Sequence, residues 1–130
     1  MNNCIFCKIV KGEVPSIKVW EDAEHIAILD RTPITKGHTL LIPKKHSEYL
    51  FDLNDKEYSK LMLSAKKLAK LLKEKLKPKR IGLALEGFGV PHIHLHLVPI
   101  NHGNELNPEK AKPMSQEELN KIAEIIKSES

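Results

Sequence analysis

Two short β-leaning runs, Ile17-Lys18-Val19-Trp20-Glu21 and His25-Ile26-Ala27-Ile28-Leu29, flank the polar stretch Glu21-Asp22-Ala23-Glu24. That order predicts a hairpin, although its turn lacks glycine. The segment from Asp30 to Gly37 contains Pro33 and reads as a loop. His38-Thr39-Leu40-Leu41-Ile42-Pro43 follows as a buried strand that proline stops. Leu61, Ala65, Leu68, Leu72 and Leu76 then recur at helical spacing, with Lys66, Lys67, Lys70 and Lys73 on the opposite face. Asn54 and Glu57 are spaced as a capping box for this helix, and Pro78 ends it. Arg80 to Leu85 is a further β-leaning run, broken by Glu86-Gly87-Phe88-Gly89-Val90-Pro91. His92 to Pro99 alternates strictly and predicts a strand, and 101–113 is turn-rich. A last helix begins at Ser115, with Glu118 three residues on and an apolar face of Leu119, Ile122, Ala123 and Ile126.

Strands, one long helix, then two more strands is an α+β order. It predicts an antiparallel sheet of four or five strands covered on one side by the helix. A small sheet has edges, and pairing of two copies through one of them predicts a homodimer. The chain of 130 residues amounts to one domain. Its 41% hydrophobic and 29% charged residues are globular composition. No apolar run approaches the roughly 18–20 residues of a membrane helix, so no membrane partner is expected. The start, Met1-Asn2-Asn3-Cys4, lacks a charged and then apolar leader, so the expected location is cytoplasmic. The net charge of +4 favours anionic ligands. Nucleic acid is an unlikely partner, because aromatic residues make up only 5% and the lysine run is the wet face of a helix.

The chemistry concentrates in His92-Ile93-His94-Leu95-His96-Leu97-Val98. Strand alternation would place the three imidazoles on one face and Ile93, Leu95 and Leu97 in the core. An isolated strand histidine is usually structural, but three in a row need a chemical reason. One ion cannot take all three without strong bending: residues four apart on a strand are about 13 Å apart, and zinc holds nitrogen at about 2.0–2.1 Å. The row must therefore be divided between jobs. Cys4 and Cys7 form a CxxC pair, for which metal binding and redox chemistry both stand open.

The alternation resembles the signature of the histidine-triad (HIT) nucleotide hydrolases and transferases. The likeness extends to Ile5-Phe6-Cys7-Lys8-Ile9-Val10-Lys11-Gly12-Glu13-Val14-Pro15, similar to that family's opening strand and loop. It includes Asp30 with Pro33, and Gly37-His38-Thr39-Leu40-Leu41-Ile42-Pro43-Lys44-Lys45-His46. The resemblance implies a HIT-like sheet of about five strands, with residues 1–100 as the HIT domain. Residues 101–130 would be a C-terminal extension whose helix packs on the same domain.

The resemblance also implies roles. His94 would attack an α-phosphate and form a nucleotidyl-histidine that water cleaves, His96 would contact the departing group, and His38 would be the additional catalytic histidine. Asp30 would bind the ribose hydroxyls of a purine nucleotide or nucleoside phosphate, and Ile5, Phe6, Ile9 and Ile28 would hold the base. Backbone N–H groups around Gly87 and Gly89 would hold phosphate oxygens. Cys4, Cys7, His46 and His92 would bind a structural zinc. Nucleoside phosphoramidates and dinucleoside polyphosphates are the implied substrates. The stretch from Ala84 to Pro91 departs from the family pattern, with no Asn, Gln or Ser and with Phe88 about where Gln is expected. A nucleotide-binding or regulatory module with little turnover is the alternative that this loop motivates.

Overall fold

The computed structural model describes residues 3–128. In chain order the elements are α1 (Ile5–Val10), β1 (Lys18–Glu21), β2 (His25–Leu29), β3 (Thr39–Pro43), α2 (Asp55–Leu76), β4 (Arg80–Ala84), β5 (Leu95–Ile100) and α3 (Gln116–Lys127). Short 3-10 turns lie at Leu50–Asp52 and Pro108–Lys110. The strands form one antiparallel sheet in the order β1-β2-β3-β5-β4. The fold is thus α+β with five strands.

Local chemistry sets the ends of the long helix. The Asn54 side chain accepts the Glu57 N–H at 2.8 Å, and the Glu57 carboxylate accepts the Asn54 N–H at 3.3 Å. At the other end Lys77 turns left-handed, at φ 58°, just before Pro78. Ser115 caps α3 by accepting the Glu118 N–H at 3.2 Å.

The sheet is covered on both faces, not on one. Every residue of β2 and β3 is buried, as a continuous apolar run requires. Ala27, Leu29 and Leu41, with Leu95 and Leu97 of β5, meet Leu61, Leu68 and Leu72 of α2 and Leu119, Ile122 and Ile126 of α3. The alternate residues Ile26, Ile28, Leu40 and Ile42 pack against Cys4, Phe6 and Cys7.

Ile5–Val10 is a helix where an opening strand was expected. A strand would send residues three apart to opposite faces, whereas the helical turn brings Cys4 and Cys7 to one side, against the sheet. The last strand begins at Leu95, not at His92. Its ladder to β3 stops at Leu41–Leu95, near Pro43, which has no N–H to give. The Ile93 N–H goes instead to the Ser47 carbonyl at 2.8 Å. The alternation survives all the same: Ile93 enters the α2/α3 core, while His94 packs on Phe6.

After β5 the chain folds back over the α1 side of the sheet. Leu106 lies over Gly82 of β4, where an added Cβ would sit 2.9 Å from a Leu106 methyl. The Lys112 N–H then bonds Pro33 and the Met114 N–H bonds Arg31, each at 3.1 Å. That strap delivers α3 to the core.

A polar clamp joins the β1–β2 turn to α2. Ser64 donates to Asp22 at 2.6 Å, and His25 Nδ1 lies 3.0 Å from the same carboxylate and 3.1 Å from Ser64. One histidine nitrogen meets both partners, so this trio cannot pass a proton as a hydrolytic triad does. Its role is structural. Desolvation opposes ionisation of Asp22, but hydrogen bonds from Ser64, His25 and the Glu24 and His25 amides hold its pKa at about 2. That lies below the unfolded value of about 3.9, so the contribution is complete above roughly pH 4 and disappears as pH falls toward 2. Ser64→Ala is expected to lower unfolding free energy by about 1 kcal/mol in urea titrations at pH 7. The difference from wild type should shrink at pH 3, and an unchanged difference would contradict the clamp.

Candidate functional site

Four side chains converge from three parts of the chain. Cys4 and Cys7 come from the start of α1, His46 from the turn after β3, and His92 from the segment before β5. Cys4 Sγ lies 3.3 Å and Cys7 Sγ 3.4 Å from His92 Nδ1; His46 Nδ1 lies 3.2 Å from both Cys7 Sγ and His92 Nδ1. A tetrahedral zinc with sulfur at about 2.3 Å and nitrogen at about 2.0–2.1 Å needs ligand-to-ligand separations of about 3.3–3.8 Å. The cluster fits. His92 Nε2 donates to the Pro43 carbonyl at 2.8 Å, which leaves Nδ1 with its lone pair turned toward the thiols. Burial, the largest influence, lowers the pKa of His92 and keeps the ring neutral, as ligation requires. Glu48 backs His46 Nε2 at 3.5 Å.

Two residues later the tautomer reverses. His94 Nδ1 lies 2.7 Å from the His92 carbonyl, which can only accept, so Nδ1 carries the proton and Nε2 the lone pair. His94 is 8% exposed, its ring packed between Phe6 at 4.9 Å and His96 at 5.1 Å between ring centres. Among the described residues no buried side-chain nitrogen or oxygen lacks a partner. His94 Nε2 makes no hydrogen bond, and so it is the atom of that ring that meets solvent. His94 is not a member of the Cys4–Cys7–His46–His92 cluster.

His96 is set by a chain of donors. The Ile34 N–H donates to His38 Nδ1 at 3.0 Å, so His38 carries its proton on Nε2 and gives it to His96 Nδ1 at 2.9 Å. His96 must then hold its own proton on Nε2. Asp30 lies 3.6 Å from His38 Nε2 and is fixed by accepting the Thr32 N–H at 2.8 Å. Burial pushes the His38 pKa down to about 4, although the Asp30 carboxylate raises it. Burial and then His94 lower the pKa of His96. Asp30, His38 and His96 also lie close enough together to suggest a second metal site. The protonated His38 Nε2 argues against one, because binding there would force a proton onto the nitrogen that already accepts from Ile34.

A cavity of about 320 Å3 opens over this relay, lined by Asp30, Thr32, Ile34, His38, Ala84, Glu86, His96, Val98, Leu106, Pro108 and Ala111. Of the nucleotide-site candidates, only Asp30 belongs to that lining. Phe6 and Ile28 are buried in the α1-side core, Ile9 is packed partly against it, and Ile5 is 38% exposed. Gly89 and Ile5 border a separate hollow with Cys4 and His46. Gly87 and Gly89 hold φ of 83° and 84°, with no atom crowding either, so backbone conformation is what demands glycine there. The wall formed by Leu106, Pro108 and Ala111 escaped the sequence reading. Its one local signal was Asn107-Pro108, where Asn107 accepts the Glu109 N–H at 3.0 Å.

The family model described as HIT domain matches residues 11–103. The adenosine 5'-monophosphoramidase of Candida albicans is 42% identical over 106 residues, covering 75% of this chain and 70% of that protein. A Hit-like protein from Bartonella henselae superposes with a TM-score of 0.84 at 32% identity, covering 98% of this chain and 96% of its own. A zinc-bound histidine triad family protein from Mycobacterium smegmatis superposes at 0.82 with 30% identity, covering 96% and 91%. The match over most of the chain, together with the shared fold, shows that this protein belongs to the HIT family.

Proposed function

We propose that the chain is a nucleotide hydrolase or nucleotidyl transferase that works through a nucleotidyl-histidine on His94. The observation that carries this reading is the pair of opposed tautomers. His94 turns a lone pair, and His96 an N–H, out of two adjacent rings. Imidazole is a competent nucleophile at neutral pH when its attacking nitrogen is unprotonated. His94 Nε2 attacks the α-phosphorus, the bond from phosphorus to the leaving group breaks with its electron pair, and water then cleaves the N–P bond. His96 Nε2–H donates a hydrogen bond to the bridging or departing atom, while His38 keeps His96 in the donor tautomer.

Asp30 accepts from the ribose hydroxyls, and Ile5, Phe6, Ile9 and Ile28 flank the base. The amides around Gly87 and Gly89 take phosphate oxygens, as glycine turns often do. The monophosphoramidase from Candida albicans supports a nucleoside phosphate substrate. We also propose that Cys4, Cys7, His46 and His92 hold a structural zinc, for which the zinc-bound relative is support. Zinc there would pin α1 to the sheet and has no part in the reaction. A homodimer joined along β4, one of the two edge strands, where Leu83 is 45% exposed, completes the proposal.

The second reading is a nucleotide-binding module with little turnover, favoured by the absence of Asn, Gln and Ser in the loop before the histidines. One experiment separates the two. Mixing the protein with phosphorus-labelled adenosine 5'-phosphoramidate under single-turnover conditions should place label on the wild type and none on His94→Asn. Steady-state kcat should fall at least about 10³-fold in the variant. Tight binding with no adduct and no turnover would favour the binding module.

Elemental analysis of protein purified without added metal should find one zinc per chain. Cys7→Ser should lose it and melt several degrees lower. A fully folded, metal-free wild type would overturn the zinc assignment.

A further inference from the structure

The cavity over His38 and His96 has the wrong charge for a polyphosphate. The chain carries 21 Lys and Arg residues, yet none lines this cavity, whose only charged walls are Asp30 and Glu86. His38 and His96 are held neutral by their hydrogen-bond chain and supply no cation. Asp30 already has a task, the ribose hydroxyls. Glu86 has none in that reading, and no salt bridge engages it among the described residues. It stands two residues past Ala84, which pairs with His96 across β4 and β5 and also lines the cavity. Its negative charge raises the pKa of His96, against the larger lowering by burial and by His94.

We propose that Glu86 is a specificity-determining residue: it selects substrates whose leaving group bears positive charge at the atom bonded to phosphorus, a phosphoramidate of an alkylamine, and rejects those whose leaving group is a further phosphate. The proposal rests on the nucleotidyl-histidine reading. In the zwitterionic substrate the bridging nitrogen has taken a proton from solvent. His94 Nε2 forms a bond to phosphorus, the P–N bond breaks with its electron pair going to nitrogen, that pair accepts from His96 Nε2–H as it develops, and a neutral amine departs. The nucleotidyl imidazolium keeps its Nδ1 proton on the His92 carbonyl. Water then adds to phosphorus, the nucleoside monophosphate leaves His94 neutral, and one proton returns to solvent. Positive charge on the bridging nitrogen exists only before the P–N bond breaks, and a carboxylate in the wall of the same cavity favours that protonated form. A phosphate leaving group instead brings added negative charge toward two carboxylates with no counter-ion in the wall, a repulsive element that discriminates as effectively as an attractive one.

The test compares two probes on the full chain: adenosine 5'-monophosphate joined through nitrogen to n-butylamine, and diadenosine triphosphate. Wild type should prefer the first. Glu86→Gln should lower kcat/KM for the phosphoramidate about tenfold or more and raise it for the triphosphate, while Glu86→Asp should retain the wild-type preference. A merely structural role would change both substrates in the same direction. A ratio that stays within about twofold in Glu86→Gln overturns the proposal. Wild type that forms an adduct with neither probe overturns the hydrolase reading itself, and so the two failures are distinct.

Discussion

One hydrogen bond, from His94 Nδ1 to the carbonyl of His92 at 2.7 Å, couples the two halves of the site. The carbonyl belongs to a residue whose own ring faces Cys4, Cys7 and His46, while its backbone fixes the next imidazole but one. His92 donates through Nε2 to Pro43 and offers Nδ1; His94 donates through Nδ1 and offers Nε2. The same side chain, two positions apart, presents opposite nitrogens because its carbonyl partner differs. Whatever stiffens the Cys–His cluster therefore also stiffens the orientation of His94.

The His38–His96 chain follows the same logic with a backbone N–H at its origin in place of a carbonyl. Donor direction is fixed by Ile34, a residue with no functional group of its own. Burial keeps the rings neutral: a protonated His38 would have to lose either the Ile34 amide or its orderly bond to His96. The neutrality of His38 and His96 removes the charge repulsion that so close a pair of rings would otherwise suffer. The cavity above inherits its character from the two carboxylates, in a protein that is basic overall.

Much of this was legible in the residues. Capping pairs at Asn54/Glu57 and Ser115/Glu118 mark the helices by local hydrogen bonding, which needs no tertiary partner. One ion cannot reach three histidines on an extended chain, and His92 and His96 do part company, one to the Cys–His cluster and the other to the His38 relay. The start of the chain is a helix where the family resemblance implies a strand; the i, i+3 spacing of its cysteines is the local signal for that helix. The tail was opaque for another reason. Leu106 becomes a wall only because Gly82 lacks a side chain, and that pairing spans the turn between two strands and a strap with no repeating pattern. Nor could spacing alone tell which nitrogen each ring presents, because the partners, such as the Pro43 carbonyl and the Ile34 amide, are backbone groups whose placement the fold sets.

The central claim is the reversal of tautomer between neighbouring histidines, and nitrogen-15 NMR of the imidazoles at neutral pH reads it directly. The account predicts His94 protonated on Nδ1 with Nε2 bare, and His96 protonated on Nε2 with Nδ1 accepting. A His94 found with its proton on Nε2 would leave no lone pair facing the site and would contradict the account.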